Sequence, residues 1–245
     1  MKMKSKLFVL MAALVSAFTL SSCLGDEGYE SYPAYERMVT VSSGATRLYA
    51  DHGEILLPKN TVSGLDKVER AIVAFNVLPA ELNGVELEAG KTYDVELDAN
   101  YCYSIPTSKV INLNNNPVAV DSLTNSQEPV LQIDGLYVKN GYLTATISYG
   151  CRQYSPVYLN LAYDSETDVN LETNTITFTL YYDNKRLISN TQIKYPYSFR
   201  LPVDAYYKFM DVSTINVVFR YMVGNSQYRE AKTTMDKEDF FISSF

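Results

Sequence analysis

The chain has no tryptophan, a single histidine (His52) and three cysteines (Cys23, Cys102 and Cys151) among its 245 residues. One histidine removes most metal centres and most acid–base machinery, since imidazole is the usual proton-transfer group near neutral pH. No cofactor and no metal site is therefore expected. Basic residues are also short: 21 Lys and Arg stand against 28 Asp and Glu. No long basic run occurs, which excludes a nucleic-acid partner, because such binding rests on cations neutralising phosphates. No G-x-S-x-G nucleophile elbow is present, and no repeat of 20–50 residues suggests a solenoid or propeller. What the chain does have is apolar bulk, at 47% hydrophobic residues, and an unusual 21 tyrosines. That composition folds, and the missing groups point away from an enzyme.

The amino-terminal segment sets the expected location. Lys2, Lys4 and Lys6 precede an apolar run from Leu7 to Leu20, broken only by Ser16 and Thr19. A basic start, a short apolar stretch and small residues before a cut are the anatomy of a secretory signal peptide. Fourteen residues at ~1.5 Å each cover ~21 Å, short of the ~30 Å hydrocarbon core, so a permanent transmembrane helix is disfavoured. Leu20-Ser21-Ser22-Cys23 resembles the bacterial lipobox, which implies acylation of the Cys23 thiol and cleavage before it. Residues 1–22 are then a lipoprotein signal peptide, and 23–36 an acylated cysteine and flexible tether. The cut removes three lysines and no acid, taking the net charge from −7 to −10. Leu24-Gly25-Asp26-Glu27-Gly28 resembles the export tag of surface-exposed lipoproteins in the Bacteroidota. Its alternative is a plain solvated tether.

Beyond the tether, period-two patterns dominate. Ala71, Val73, Phe75 and Val77 fall on one face of a strand, as do Leu143, Ala145, Ile147 and Tyr149. Val157 to Tyr163, Ile176 to Tyr182 and Ile215 to Tyr221 repeat the motif, the second with Thr177, Thr179 and Tyr181 between. Alternation of this kind is the half-buried strand of an antiparallel sheet. Asn140-Gly141, Asp183-Asn184 and Gly224-Asn225 carry hairpin turn chemistry. The one short helix suggested lies at Ala205–Asp211. The chain is thus expected to be all-β. An Asn- and Pro-rich stretch, 113–129, reads as a linker. It divides a small β-barrel over 37–112 from a β-sandwich over 130–245.

Four constellations could carry chemistry. His52 sits in Ala50-Asp51-His52-Gly53-Glu54, where either acid would partner it as a base; an exposed turn residue is the simpler expectation. Asp164, Glu166, Asp168, Asn170 and Glu172 place oxygens at alternate positions, as in the opening of a calcium loop. Val169 stands where that loop needs glycine and Thr175 where it needs a bidentate glutamate. Cys102 and Cys151 could pair after export, or serve as two separate core residues. The tyrosines could stack against sugars, or serve half-buried strands, where Tyr is equally at home.

Several segments together resemble the NigD-like lipoproteins of the Bacteroidota: Leu48 to Pro58 (LYADHGEILLP), Asp66 to Val73 (DKVERAIV) and Asn140 to Thr144 (NGYLT). His52 stands where the family commonly has an acid, and Lys67-Val68-Glu69-Arg70 replaces a more usual Gly-Gln-Arg-Val. The resemblance implies an N-terminal OB-fold-like barrel, a C-terminal immunoglobulin-like sandwich and a bacteriocin-immunity role, with no catalytic motif. The expected protein is a non-enzymatic outer membrane lipoprotein, anchored to the membrane through Cys23 and displayed at the cell surface. Its ligand would be a protein or a glycan. The alternative is a glycan-binding accessory lipoprotein.

Overall fold

Alternating strands bury one face each, and a computed structural model shows where those faces meet. It describes residues 33–125, 127–152, 157–185 and 190–240. The expected signal peptide, Cys23 and most of the expected tether lie outside these residues.

The first strands close on themselves. They are β1 (Tyr35–Val41), β2 (Leu48–Ala50), β3 (Ile55–Pro58), β4 (Arg70–Leu78), β5 (Thr92–Leu97) and the short β6 (Tyr103–Ser104). The order β1-β2-β3-β5-β4 returns to β1 through an antiparallel β1–β4 pairing, with β3 and β5 parallel. This is the five-stranded closed barrel expected of an OB-type fold. Closure removes the free edges, and the inward residues Val39, Leu48, Leu56, Val73, Phe75, Val77 and Val95 are fully buried.

The remaining strands are β7 (Thr107–Lys109), β8 (Ile111–Asn112), β9 (Gln132–Lys139), β10 (Tyr142–Cys151), β11 (Tyr158–Tyr163), β12 (Val169–Asn170), β13 (Thr175–Asp183), β14 (Thr191–Arg200), β15 (Thr214–Val223) and β16 (Gln227–Asp236). They make two sheets, β7-β14-β10-β9 and β16-β15-β13-β11-β8, with β12 paired to β13. Leu143, Ala145, Ile147 and Phe199 of the first sheet share one core with Leu161, Phe178, Leu180, Val217 and Phe219 of the second. The Phe199 and Phe219 rings lie 6.3 Å apart across that core. Every predicted alternating face is the buried one. The barrel-plus-sandwich architecture stands as expected, with parallel pairings at β13–β15, β14–β7 and β11–β8.

The expected boundaries shift in three places. Tyr35 and Glu36, assigned to the tether, already pair with Phe75 and Ala74. Residues 107–112, assigned to the barrel, supply β7 and β8 to the sandwich instead. The expected linker contains a helix, α1 (Pro117–Asn125), held down by buried Leu123. Short strands and a single helix turn or two carry too little periodicity to show in sequence. The one helix expected from sequence, at Ala205–Asp211, is present a few residues earlier as α2 (Val203–Lys208). Asn140 and Gly141, at φ 52° and 81°, make the predicted tight turn between β9 and β10. Gly224-Asn225 lies in the turn joining β15 to β16. Asp183-Asn184 closes no hairpin, because β13 and β14 belong to different sheets. Barrel and sandwich form one compact body over residues 33–245.

Candidate functional site

Two polar constellations stand out, one between barrel and sandwich and one at the free end of the barrel. The first is centred on Arg70, the opening residue of β4, whose side chain is completely buried. Its Nη1 donates to Thr40 Oγ1 at 2.8 Å and to Asp51 Oδ1 at 2.6 Å. Its Nη2 donates to Asp51 Oδ2 at 2.5 Å and to Thr144 Oγ1 at 3.3 Å. Nε reaches Ser198 Oγ at 3.4 Å, and the guanidinium lies 5.3 Å from the Tyr142 ring centroid. All five N–H donors of the fork thus face acceptors, which is what a buried guanidinium requires.

Thr40 and Asp51 come from the barrel; Thr144, Ser198 and Tyr142 come from the sandwich. The sandwich also supplies Tyr137, whose hydroxyl donates to Asp51 Oδ2 at 2.8 Å, and Asn140, whose amide lies 3.3 Å from Asp51 Oδ1. Burial, and then the Asp51 charge, push the Tyr137 phenol far above its ordinary value, so it stays a donor. At the rim Tyr142 donates to Glu69 at 3.0 Å, and Arg200 approaches the same carboxylate at 3.5 Å. The family-like segments contain Asp51, Arg70, Asn140, Tyr142 and Thr144, but nothing in the sequence says that they meet. Thr144 lies on the polar side of its strand, where alternation predicts water, yet the barrel covers it.

The second constellation surrounds His52. The β2–β3 turn places this residue on the surface, with Asp51 and Glu54 on either side. Neither acid serves it. Asp51 is spent on Arg70, and Glu54 turns into the barrel wall, where it is 1% exposed and accepts from Arg37 Nε at 3.1 Å. His52 itself is exposed, as an ordinary turn residue would be. The turn is fixed by its neighbour, the loop over residues 79–91 between β4 and β5. Gly90 N–H donates to Gly53 O, and Ile55 N–H to Lys91 O, each at 2.9 Å. Gly53 has φ 101°, and a Cβ there would stand 2.9 Å from the Ala89 Cβ. Between turn and loop lies an open cleft of about 650 Å³, lined by Arg37, His52, Glu54, Glu86, Glu88 and Ala89. It offers three carboxylates, and no serine, threonine, cysteine or lysine stands among its lining residues.

The other sequence candidates resolve into structure. Asp164 Oδ1 accepts from the N–H groups of Glu166 and Thr167 at 2.7 and 3.1 Å, and Asp168 Oδ2 accepts from Asp164 N–H at 2.8 Å. The acidic loop is a turn folded on its own carboxylates, and among the described residues no cluster fit for a metal ion occurs. Cys102 and Cys151 are free thiols. Cys102 follows the 3-10 turn at Ala99–Tyr101 that separates β5 from β6. Its Sγ–H points to Asp98 O at 3.1 Å, and burial raises its pKa. Cys151 ends β10 inside the sandwich core. Tyr35, Tyr142, Tyr149, Tyr163, Tyr182 and Tyr221 are core residues, while Tyr103, Tyr158, Tyr207 and Tyr228 are exposed. Among the described residues no helix is long and apolar enough to cross a membrane. Cys23 lies outside the described residues.

These features define a class: an all-β protein in which a closed five-stranded barrel is joined to a sandwich through a buried ionic junction. No protein-family model and no curated protein matches the chain. Solved structures share its fold. A NigD-like immunity protein from Bacteroides caccae matches at TM-score 0.51 with 18% identity, covering 84% of this chain and 94% of that one. A protein described as toxin-related, from Parabacteroides distasonis, matches at TM-score 0.60 and 16% identity over 84% of this chain and 94% of that one. A protein described as a lipoprotein, from Bacteroides fragilis, matches at TM-score 0.53 and 10% identity over 83% and 97%. The NigD-like resemblance seen in Leu48–Pro58, Asp66–Val73 and Asn140–Thr144 holds at the level of the fold.

Proposed function

We propose that the chain is a lipid-anchored, non-enzymatic envelope protein of the NigD-like kind, whose barrel and sandwich present a binding surface that protects the cell against a bacteriocin. The observation that carries this reading is the engagement of Asp51 by Arg70 and of Glu54 by Arg37, which leaves His52 without an acid partner. A lone exposed imidazole with no oriented base or nucleophile is poor catalytic equipment. The lipobox-like Leu20–Cys23 supports the anchor, and the shared fold with a NigD-like immunity protein supports the protective role. A lipobox-like Cys23 followed by Asp26 and Glu27 supports an outer membrane address with surface display.

Killing assays with and without the gene test immunity: the deletion strain should become sensitive to the producing neighbour, and equal killing removes this role. Mass spectrometry of the mature protein should find acylated Cys23 at the amino terminus. Protease treatment of intact cells should then digest the body of the protein if it faces outward. The second reading is a glycan-binding accessory lipoprotein, supported by the exposed rings of Tyr103, Tyr158, Tyr207 and Tyr228. A glycan array without a hit would remove it.

A further inference from the structure

Glu54 is the anomaly of the barrel. Its carboxylate is buried, yet only Oε1 has a partner; Oε2 meets no donor. A buried acceptor with no hydrogen bond to the protein is costly and rare, so Oε2 is met by water or by a donor that displaces it. Arg37 does not supply one. It reaches Glu54 only through Nε, while its Nη1 donates to Glu36 O at 2.9 Å and its guanidinium lies 5.8 Å from the Tyr35 ring centroid. Glu54 lines the cleft between the β2–β3 turn and the 79–91 loop, beside Glu86 and Glu88. Glu88 is already paired with Lys91 at 2.7 Å.

We propose that this cleft is a binding site for a cationic side chain, a primary ammonium or a guanidinium, carried on a peptide with apolar residues beside the charge. The missing element at Oε2 is an N–H donor bearing positive charge, which these groups provide. A divalent metal fits less well, since it needs several oxygens and no such group of ligands occurs among the described residues. The apolar flank is argued from the same loop. Leu78, Leu82 and Val85 are exposed there, Val85 at 53%. Their backbone is tied to the barrel: the Tyr35 hydroxyl lies 2.6 and 2.7 Å from the carbonyls of Leu82 and Val85, and Asn83 Oδ1 accepts from Val77 N–H at 2.7 Å. Leu82 and Val85 belong to the loop that also carries Glu86 and Glu88, and apolar groups on the same loop as carboxylates suit a ligand whose charged and greasy groups alternate. The net charge of −7 for the whole chain attracts such a ligand from a distance.

This inference rests on the binding role proposed above and names the chemistry of the partner. The absence of tryptophan makes it measurable, because Val85→Trp gives the chain its only indole. Residues 33–245 carrying V85W are titrated with a Leu-Lys-Leu-Lys-Leu peptide blocked at its amino terminus by acetylation, with the same blocked peptide also acetylated on both lysines, and with free lysine. The peptide with unmodified lysines should shift the indole emission saturably. The lysine-acetylated peptide should bind at least ~10-fold more weakly, the scale of one lost charge-assisted hydrogen bond. Free lysine should bind weakly, for want of the apolar flank. Glu54→Gln in the same background should weaken the peptide by a similar factor with its thermal midpoint compared alongside. Equal binding of the lysine-acetylated peptide, which needs no destabilising variant, overturns the proposal, as does tighter binding of free lysine than of peptide. The killing assay is independent: protection without peptide binding would discard this cleft and keep the immunity reading.

Discussion

Arg70 shows what one side chain can do when it is buried with every donor met. A buried ion pair is weak evidence of net stability, but removal of one partner leaves the other charge stranded. Arg70→Met should therefore destabilise the protein by about 3–5 kcal/mol, read as a lowered midpoint in urea. Asp51→Leu combined with Arg70→Met should cost far less than the two single changes summed, because neither charge is then orphaned. Additive losses would show that the pair carries no coupling. At the surface, Asp164 gives a pH prediction. Backbone N–H groups of Glu166 and Thr167 hold its carboxyl below the ordinary 3.8. A depressed folded value means that its stabilisation is present above pH ~4 and is lost as pH falls through the lower folded value. Asp164→Ala should flatten the acid side of the thermal-midpoint profile, and an unchanged profile would remove the effect. The sequence singled out Asp164 as part of an acidic run and Asp51 as a partner for His52, and it carried Arg70 only as a letter of a family-like segment. Arg70 stayed hidden because nothing in a strand pattern says that a second lobe will cover its outer face.

At the scale of elements, the β2–β3 turn depends on one glycine. Gly53 combines a left-handed φ with a contact that any Cβ would violate, and the atom in the way belongs to a loop rather than to a flexible side-chain tip. Gly53→Ala should cost about 1–3 kcal/mol and loosen the cleft, measurable as faster amide exchange at Gly90 and Ile55. Strands β10, β13 and β14 meet through Tyr149, Tyr182 and Tyr197, with Tyr149 and Tyr197 hydroxyls 2.6 Å apart. Burial raises all three phenols above the ordinary 10.0. A raised folded value means that this stabilisation is whole below pH ~10 and is lost as the pH climbs from there towards the folded values. Alkaline titration should show phenolate absorbance appearing in two stages, exposed tyrosines first and a cooperative block on unfolding. A single smooth titration of all tyrosines would contradict the burial. The strand faces holding these rings were legible in the period-two pattern. The rings' partners were not, because pairing across sheets depends on which strands become neighbours.

At the scale of the molecule, two apolar cores are separated by a polar junction, and that junction is desolvated. Barrel and sandwich also exchange chain: β7 and β8 leave the barrel side to pair with β14 and β11. The two lobes should therefore unfold together. Residues 33–245 are expected to show one transition in urea, with circular dichroism and tyrosine fluorescence superimposing. Two separated transitions would mean that the lobes are independent and the Arg70 cluster adventitious.

The sequence by itself determined the strand faces, the Asn140-Gly141 turn, the all-β class and the poverty of catalytic groups. Those follow from local rules: side chains alternate along a strand, glycine tolerates positive φ, and a missing residue type cannot act. Only the tertiary structure decided that Thr144 and Ser198 would be buried, that Asp51 would desert His52 for Arg70, and that Glu54 would keep one oxygen unmet. These depend on which surfaces meet across long stretches of chain, where a polar residue's cost or value is set by what covers it rather than by its neighbours in sequence.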